Sequence, residues 1–201
     1  MSATDQSVEI DLHVVMKIMQ NLMDVPEASI SCSTGALVGL PMGQKIEITN
    51  CFQFPTSNYQ DYNTEMVSRL EKQGCENMIV GLYTAIVVDS FMSEDFLTKL
   101  HMYQSSIKEC VVLVFDYVKI SHGIFYIKAY RLNKASMDLI SSRNFSQSNF
   151  EINGVTHQNL LLELPVFVRV SQLSNILVKT LQNMVRFPYV LDFDHDSLID
   201  K

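Results

Sequence analysis

Residues 78–88 read Met-Ile-Val-Gly-Leu-Tyr-Thr-Ala-Ile-Val-Val, a nearly continuous apolar run. A run of this length is typical of a central β-strand that is covered on both faces. On its N-terminal side, residues 59–73 form a polar stretch in which apolar residues recur at helical spacing, and Gly74 ends it. On its C-terminal side, Ser93 is followed by two acidic residues, which are favoured in the first turn of a helix that we expect to reach residue 107. The sequence therefore predicts a central strand between two helices.

Further elements are predicted on both sides of this unit. Alternating apolar and polar residues predict strands, and apolar residues at helical spacing predict helices. The N-terminal part is a strand at 8–10, a helix at 11–23 and a hairpin of 30–40 with 45–54. The C-terminal part is strands at 110–117 and 123–132 that turn at 121–123, a helix at 134–142, a strand at 160–170 and a helix at 171–185. These elements predict a mixed α/β domain built on one sheet.

The composition limits the function. The chain has 201 residues, of which 47% are hydrophobic, and 15 basic against 22 acidic residues give a net charge of −7. This excludes disorder as the bulk state and argues against charge-driven binding of nucleic acid. No run of 18 apolar residues is present, so no contact with membranes is predicted. The N-terminus lacks the basic and apolar regions of a signal peptide, and the four cysteines are isolated, so we expect reduced thiols and a cytoplasmic protein.

Two of the predicted helices carry unusually wide apolar surfaces. The apolar side chains of the first and last helices each spread over roughly 200°, whereas a core-facing stripe needs about 100°. One interpretation is that each helix is enclosed between the sheet and another helix of the same domain. The other is that the second apolar edge docks the helices of a partner. The candidates for a partner interface are Leu12, Met16, Met19, Met23, Ile176, Val178, Leu181 and Met184.

Patterns typical of enzymes are largely absent. No nucleotide-binding glycine loop, serine nucleophile motif or His-Glu-x-x-His motif is present, and the five histidines lie far apart in the sequence. Acidic residues at positions 89, 94 and 95 offer oxygen ligands, but the helix dipole alone favours acids at a helix start. The sequence therefore predicts neither a metal nor a cofactor.

Several strings resemble the MPN (Mov34) domain family. They are Ile46-Glu-Ile-Thr-Asn-Cys-Phe-Gln-Phe-Pro55, Val80-Gly-Leu-Tyr83 with Thr84-Ala-Ile86, and Val111-Val-Leu-Val-Phe-Asp116. The resemblance implies a deaminase-like α/β/α sandwich, with a curved, mostly antiparallel sheet flanked by helices. Residues 1–185 would form this domain with its closing helix. Residues 186–201 would be an acidic tail or the start of a truncated C-terminal helical region.

Active members of this family are zinc isopeptidases that cut ubiquitin-like conjugates. Two histidines and an aspartate hold the zinc, a glutamate takes the proton and a serine steadies the oxyanion. The corresponding positions here are Cys32 for the glutamate, Thr84 and Ile86 for the histidines, Glu94 for the serine and Leu97 for the aspartate. A shifted alignment offers Ser93 for the serine but supplies no histidine. The resemblance therefore implies a member without metal or catalysis.

Within the family, Glu47-Ile-Thr-Asn-Cys-Phe52, residues 80–104 and Lys128-Ala-Tyr-Arg-Leu132 are most similar to the h-type subunits of eukaryotic translation initiation factor three. This implies a scaffold in translation initiation whose partners are other subunits of that factor, in particular the f-type MPN subunit. The small ribosomal subunit would be reached through the complex. The alternatives are a non-catalytic MPN subunit of the proteasome lid or the COP9 signalosome, and a residual zinc-dependent deubiquitinating isopeptidase.

Overall fold

The computed structural model describes residues 6–23, 34–55, 59–76, 78–86, 94–107, 109–141, 155–156 and 159–184. Within these ranges the chain forms eight strands and six helices. The strands are β1 (Ser7–Asp11), β2 (Thr34–Met42), β3 (Lys45–Gln53), β4 (Ile79–Ile86), β5 (Val111–Asp116), β6 (Ile127–Leu132), β7 (Leu161–Leu164) and β8 (Val166–Arg169). The helices are α1 (Leu12–Met23), α2 (Tyr59–Lys72), α3 (Glu94–Ser106), α4 (Tyr117–Ser121), α5 (Lys134–Ser141) and α6 (Gln172–Met184).

All eight strands form one sheet in the order β7-β6-β5-β4-β2-β3-β1-β8. Four of the neighbouring pairs are antiparallel, and the pairs β1–β3, β1–β8 and β4–β5 are parallel. The apolar run that predicted a central strand forms β4, which lies between β2 and β5 and is buried over almost its whole length. The prediction of a mixed α/β fold with a curved, mostly antiparallel sheet is confirmed.

Helices cover both faces of the sheet. On one face, Val14, Ile18 and Leu22 of α1 pack with buried residues of β1 and β3. On the other face, α2, α3 and α5 contribute Leu70, Leu100 and further apolar residues to a second buried cluster. Each fully buried aliphatic side chain of this kind contributes about 1.5–3 kcal/mol. The predicted α/β/α sandwich is therefore present.

The C-terminal part departs from the predicted strands at two places. Residues 160–170, which we predicted as one strand, form β7 and β8 at opposite edges of the sheet, separated only by Pro165. Proline has no N–H to continue a ladder, while its carbonyl accepts a hydrogen bond from the Val8 N–H at 2.9 Å. Because one residue joins the two edges, the sheet must curve strongly. The second difference is α4, which lies between β5 and β6 where we predicted only a turn.

Candidate functional site

The family's metal positions lie on β4 and α3, on the two sides of the second buried cluster. Along β4, alternation of side chains places Thr84 and Ile86 on the face that carries Leu82, which packs in the same cluster as Leu97 of α3. Thr84, Ile86 and Leu97 are all buried. The structure thus brings these three positions together on one face of the sheet. Glu94 is the exposed first residue of α3, and Cys32 lies outside the described residues.

The side chains at these positions offer little to a metal ion. Ile86 and Leu97 have no donor atom, and a threonine hydroxyl is a poor ligand for zinc. Among the residues that the structure describes, no group of three or more His, Cys, Asp or Glu side chains lies close enough together to hold a metal. Of the alternative acidic site at Asp89, Glu94 and Asp95, only the exposed Glu94 has a side chain within the described part. The donor set of a zinc hydrolase is therefore not assembled on this stretch of β4 and α3.

The buried thiols do not replace the missing ligands. Burial raises the pKa of the Cys51 thiol to about 11, although the charge of Lys17 acts in the opposite direction. Burial likewise raises the pKa of Cys110 to about 12, against the effect of Arg131. At neutral pH both thiols are therefore protonated and are poor nucleophiles.

A cavity of about 510 Å³ borders Thr84, whereas Ile86, Glu94 and Leu97 do not line it. It is partly open to solvent, and residues of β4, α2 and α3, including Thr84, form part of its wall. Sequence reasoning identified Thr84 but missed the cavity, because the space left between packed helices and a sheet leaves no pattern in a single sequence.

Helix α1 has one buried face and one exposed edge. Its buried side contacts the sheet, and Asn21 donates a hydrogen bond to the Tyr83 hydroxyl at 3.3 Å. Met16 is 43% exposed, and Met23 is also exposed. Met19 is half-buried against the core. Leu12 is only 7% exposed, so its prediction as an interface residue is corrected: as the first residue of α1 it turns into the domain rather than outwards.

Most of the apolar side chains that the structure describes in helix α6 are exposed. Leu173 is 78% exposed and Ile176 is 62% exposed, while Val178 is half-buried. Leu181 and Met184 belong to the helix, but their side chains are outside the described part. Leu173 and the similarly exposed Leu177 were absent from the predicted interface, although the same apolar arc contains them. Among the described residues, no second helix encloses this arc.

A charged cluster lies where the strands that lead into α1 and α6 are paired. The Arg169 Nε donates to the Asp11 carboxylate at 2.6 Å, and its guanidinium also bonds to Glu47. The hydrogen bond with Asp11 raises the pKa of Arg169, so the cation is permanent. Asp11 and Arg169 are direct partners of the paired strands β1 and β8, and α1 and α6 begin just after them. The apolar edges of α1 and α6 therefore start at the same end of the sheet.

Comparison with known proteins gives two family matches. Residues 3–109 match the family described as JAB1/Mov34/MPN/PAD-1 ubiquitin protease, and residues 120–192 match the C-terminal region of eIF3h. No helix in the described part of the chain has the length and apolar character needed to cross a bilayer.

Curated relatives carry one recurring description, the H-type subunit of eukaryotic translation initiation factor 3. The relative from Bombyx mori is 32% identical over 187 residues, which is 91% of this chain and 56% of that protein. The H-A form from Danio rerio is 31% identical, over 88% of this chain and 55% of the relative. The relative from Dictyostelium discoideum is 32% identical, over 85% of this chain and 56% of the relative. The chain thus spans a little over half the length of these relatives.

Proposed function

The chain belongs to the JAB1/Mov34/MPN/PAD-1 family, and from this we propose that it is a non-catalytic MPN subunit of translation initiation factor three that acts in the cytoplasm by protein–protein assembly. The names of its relatives and the match to the C-terminal region of eIF3h support this complex. The observation that carries the assembly role is the exposed apolar surface on α1 and α6, because exposed apolar patches of this kind mark interaction sites. In this proposal, residues 1–185 form the MPN domain with its closing helix and residues 186–201 form an acidic tail.

The proposal includes the loss of the family's hydrolytic chemistry. Thr84, Ile86 and Leu97 occupy the ligand positions with one hydroxyl and two aliphatic side chains. We expect the purified chain to contain far less than one zinc per molecule by elemental analysis. We also expect the purified chain to show no chelator-sensitive cleavage of ubiquitin conjugates. Stoichiometric zinc together with chelator-sensitive cleavage would contradict this part.

The proposed partner is the f-type MPN subunit, which would pack on the apolar edges of α1 and α6, since both helices follow paired strands at one end of the sheet. Methionine suits such a surface because its flexible thioether adapts to the shape of a partner. The small ribosomal subunit is contacted through the complex. The chain itself makes no direct contact with nucleic acid, in keeping with its net charge of −7.

The interface is tested by co-expression of the tagged chain with the f-type subunit. Met16→Asp on α1 and Ile176→Asp on α6 place a charge on the proposed interface, and each should abolish co-purification because a buried, unpaired charge is strongly disfavoured. The matched control is Met78→Asp, because Met78 is 51% exposed and precedes β4 rather than belonging to either helix. This control should bind as the wild type does.

All three variants should keep the thermal melt of the wild type, since the substituted side chains are exposed. Unchanged co-purification with both interface variants would show that the partner docks elsewhere. Recovery of proteasome-lid or COP9-signalosome subunits instead of initiation factor subunits from cells would contradict the proposed complex.

A further inference from the structure

The helices of the proposed docking surface carry only positive charge. Helix α1 contains one residue that is charged at neutral pH, Lys17, and helix α6 also contains one, Lys179. The other two helices of similar length, α2 and α3, both contain acidic residues. On a chain with a net charge of −7, these two helices are therefore a local exception.

Both lysines lie beside the exposed apolar side chains of their helix. On α1, Lys17 follows Met16 and lies about 100° from it around the helix axis, and both side chains are exposed. On α6, the exposed Lys179 lies three residues after Ile176, so the two side chains are neighbours on the helix surface. Each lysine therefore stands at the rim of the apolar surface that a partner would cover.

The charges of these lysines are not neutralised within the described part of the chain. Neither lysine forms an ion pair with a carboxylate among the residues that the structure describes. The Lys17 Nζ donates a hydrogen bond to the Asn50 Oδ1 at 3.0 Å, which orients the ammonium group but leaves its charge. The carboxylates of Asp11 and Glu47, near the start of both helices, are already bonded to Arg169. Both positive charges are thus available to a partner.

We propose that the docking surface recognises apolar helices that carry carboxylates at their rim, facing Lys17 and Lys179. This inference rests on the docking surface proposed above and names the chemistry of its partner. The apolar side chains supply the burial, while the lysine–carboxylate pairs select the partner and speed its association, as the charged flanking positions of coiled coils do. Two copies of this chain would bring lysines of like charge to one interface, which disfavours self-pairing relative to pairing with an acidic partner.

The first test measures how salt affects binding of the f-type subunit. Between about 50 mM and about 500 mM NaCl, the association rate constant of the wild-type chain should fall by about ten-fold, because salt screens the attraction between the rims. At the lower salt concentration, the double variant Lys17→Glu with Lys179→Glu should associate about ten-fold more slowly than the wild type. Added salt should raise the rate of this variant, because its rim repels the partner.

Two control variants separate the local charge from other effects. Lys72→Glu with Lys99→Glu makes the same change in net charge at exposed positions of α2 and α3, outside the docking surface, and should keep the salt dependence of the wild type. Lys17→Arg with Lys179→Arg keeps the charge and should keep both the rate and its salt dependence. All variants should keep the thermal melt of the wild type, because the substituted side chains are exposed.

A second test needs no other protein, so the charge pattern and the identity of the partner can fail separately. The variant Lys17→Glu with Lys179→Glu is a copy of the docking surface with an acidic rim. In sedimentation velocity at about 50 mM NaCl, its equimolar mixture with the wild type should form more dimer than either chain alone. This preference should disappear at about 500 mM NaCl, where the attraction is screened.

The outcomes distinguish this inference from the proposed function. If reversal of both lysines left the rate and salt dependence unchanged while Met16→Asp abolished binding, the docking surface would stand and its recognition of charge would be wrong. If the wild type did not bind the f-type subunit, that partner would be wrong, and the mixture would decide whether the surface selects an acidic one. A mixture with no more dimer than its components would overturn the inference. Single-stranded RNA that bound the wild type but not the Glu variant would also overturn it, because the lysines would then bind phosphate.

Discussion

At the scale of single residues, burial controls the reactivity of the cysteines. Cys51 and Cys110 are buried, and burial raises the pKa of both thiols, to about 11 and about 12. Cys75 is exposed after the end of α2. Since only the thiolate attacks an alkylating reagent, Cys75 should react much faster than Cys51 and Cys110.

Iodoacetamide at about pH 8, below the raised pKa values of the buried thiols, should therefore label Cys75 and leave Cys51 and Cys110 unmodified in the folded chain. Peptide mass spectrometry reads each cysteine separately. In denaturant, all three should be alkylated, which shows that the peptides are detectable. Rapid labelling of Cys51 in the native chain would contradict the packing of β3 against α1.

Asp116 gives a pH-dependent test of local stability. Burial alone would raise its pKa, but hydrogen bonds from the Lys119 N–H and ammonium group outweigh this and lower the pKa below its usual value. The stabilisation is therefore present above the unfolded pKa and is lost as the pH falls through the lower, folded value. Asp116→Asn keeps an acceptor for the cap of α4 but loses the charge, so it should cost about 1 kcal/mol at neutral pH.

The difference between the wild type and Asp116→Asn should close as the pH falls below about 4, because the wild-type carboxylate then also becomes neutral. Urea unfolding at a series of pH values measures this difference. Asp116→Ala, which also removes the cap, should cost about 1–2 kcal/mol and keep part of that cost in acid. If the difference in the free energy of unfolding between the wild type and Asp116→Asn did not change with pH, the ion pair with Lys119 would not stabilise the fold.

At the scale of elements, the hairpin of β2 and β3 depends on two glycines for different reasons. Gly39 sits at a register shift in this pairing, and a Cβ there would overlap the backbone carbonyl of Glu47. Gly43 lies in the turn with φ of 71°, and a Cβ there would meet open space. One glycine is needed because strands approach closely, and the other because of its backbone conformation.

Gly39→Ala should lower the free energy of unfolding by about 3 kcal/mol or more, because backbone must move to relieve the overlap. Gly43→Ala should cost only about 1–2 kcal/mol, the strain of a left-handed residue with a side chain. Urea unfolding of the two variants in parallel compares them. If the Gly43 variant proved the more damaging, the close approach of β2 and β3 would be wrong.

The same scale shows why some elements were predictable. Residues 78–88 identified β4 because a strand that is covered on both faces must be apolar throughout. Residues 160–170 look like one strand by the same criterion, yet Pro165 divides them between opposite edges of the sheet. Which neighbours a strand pairs with depends on distant parts of the chain, and a local pattern does not contain that information. The short helix α4 was missed because five residues are too few to establish a helical period.

At the scale of the whole molecule, the sequence pointed to helices with two apolar sides, and the structure separates those sides. In α1, Val14 and Ile18 face the sheet while Met16 points away. The apolar arc of roughly 200° that the sequence predicts does not show which of its side chains are buried. In α6, Leu173, Ile176 and Leu177 are all exposed. Which part of an apolar arc is covered depends on the angle at which the helix packs, and this angle follows from tertiary contacts.

These exposed edges predict how the isolated chain behaves without its partner. Apolar surfaces that find no partner tend to pair with one another, so the average mass in sedimentation velocity should rise with protein concentration. Sulfate should strengthen this association because it favours burial of apolar surface, whereas an ion-pair interface would be weakened by added salt. The double variant Met16→Asp with Ile176→Asp should remain monomeric at high protein concentration and in sulfate. For the wild type, excess f-type subunit should replace self-association by a defined heterodimer. If the double variant associated as the wild type does, the apolar edges of α1 and α6 would not be the self-association interface.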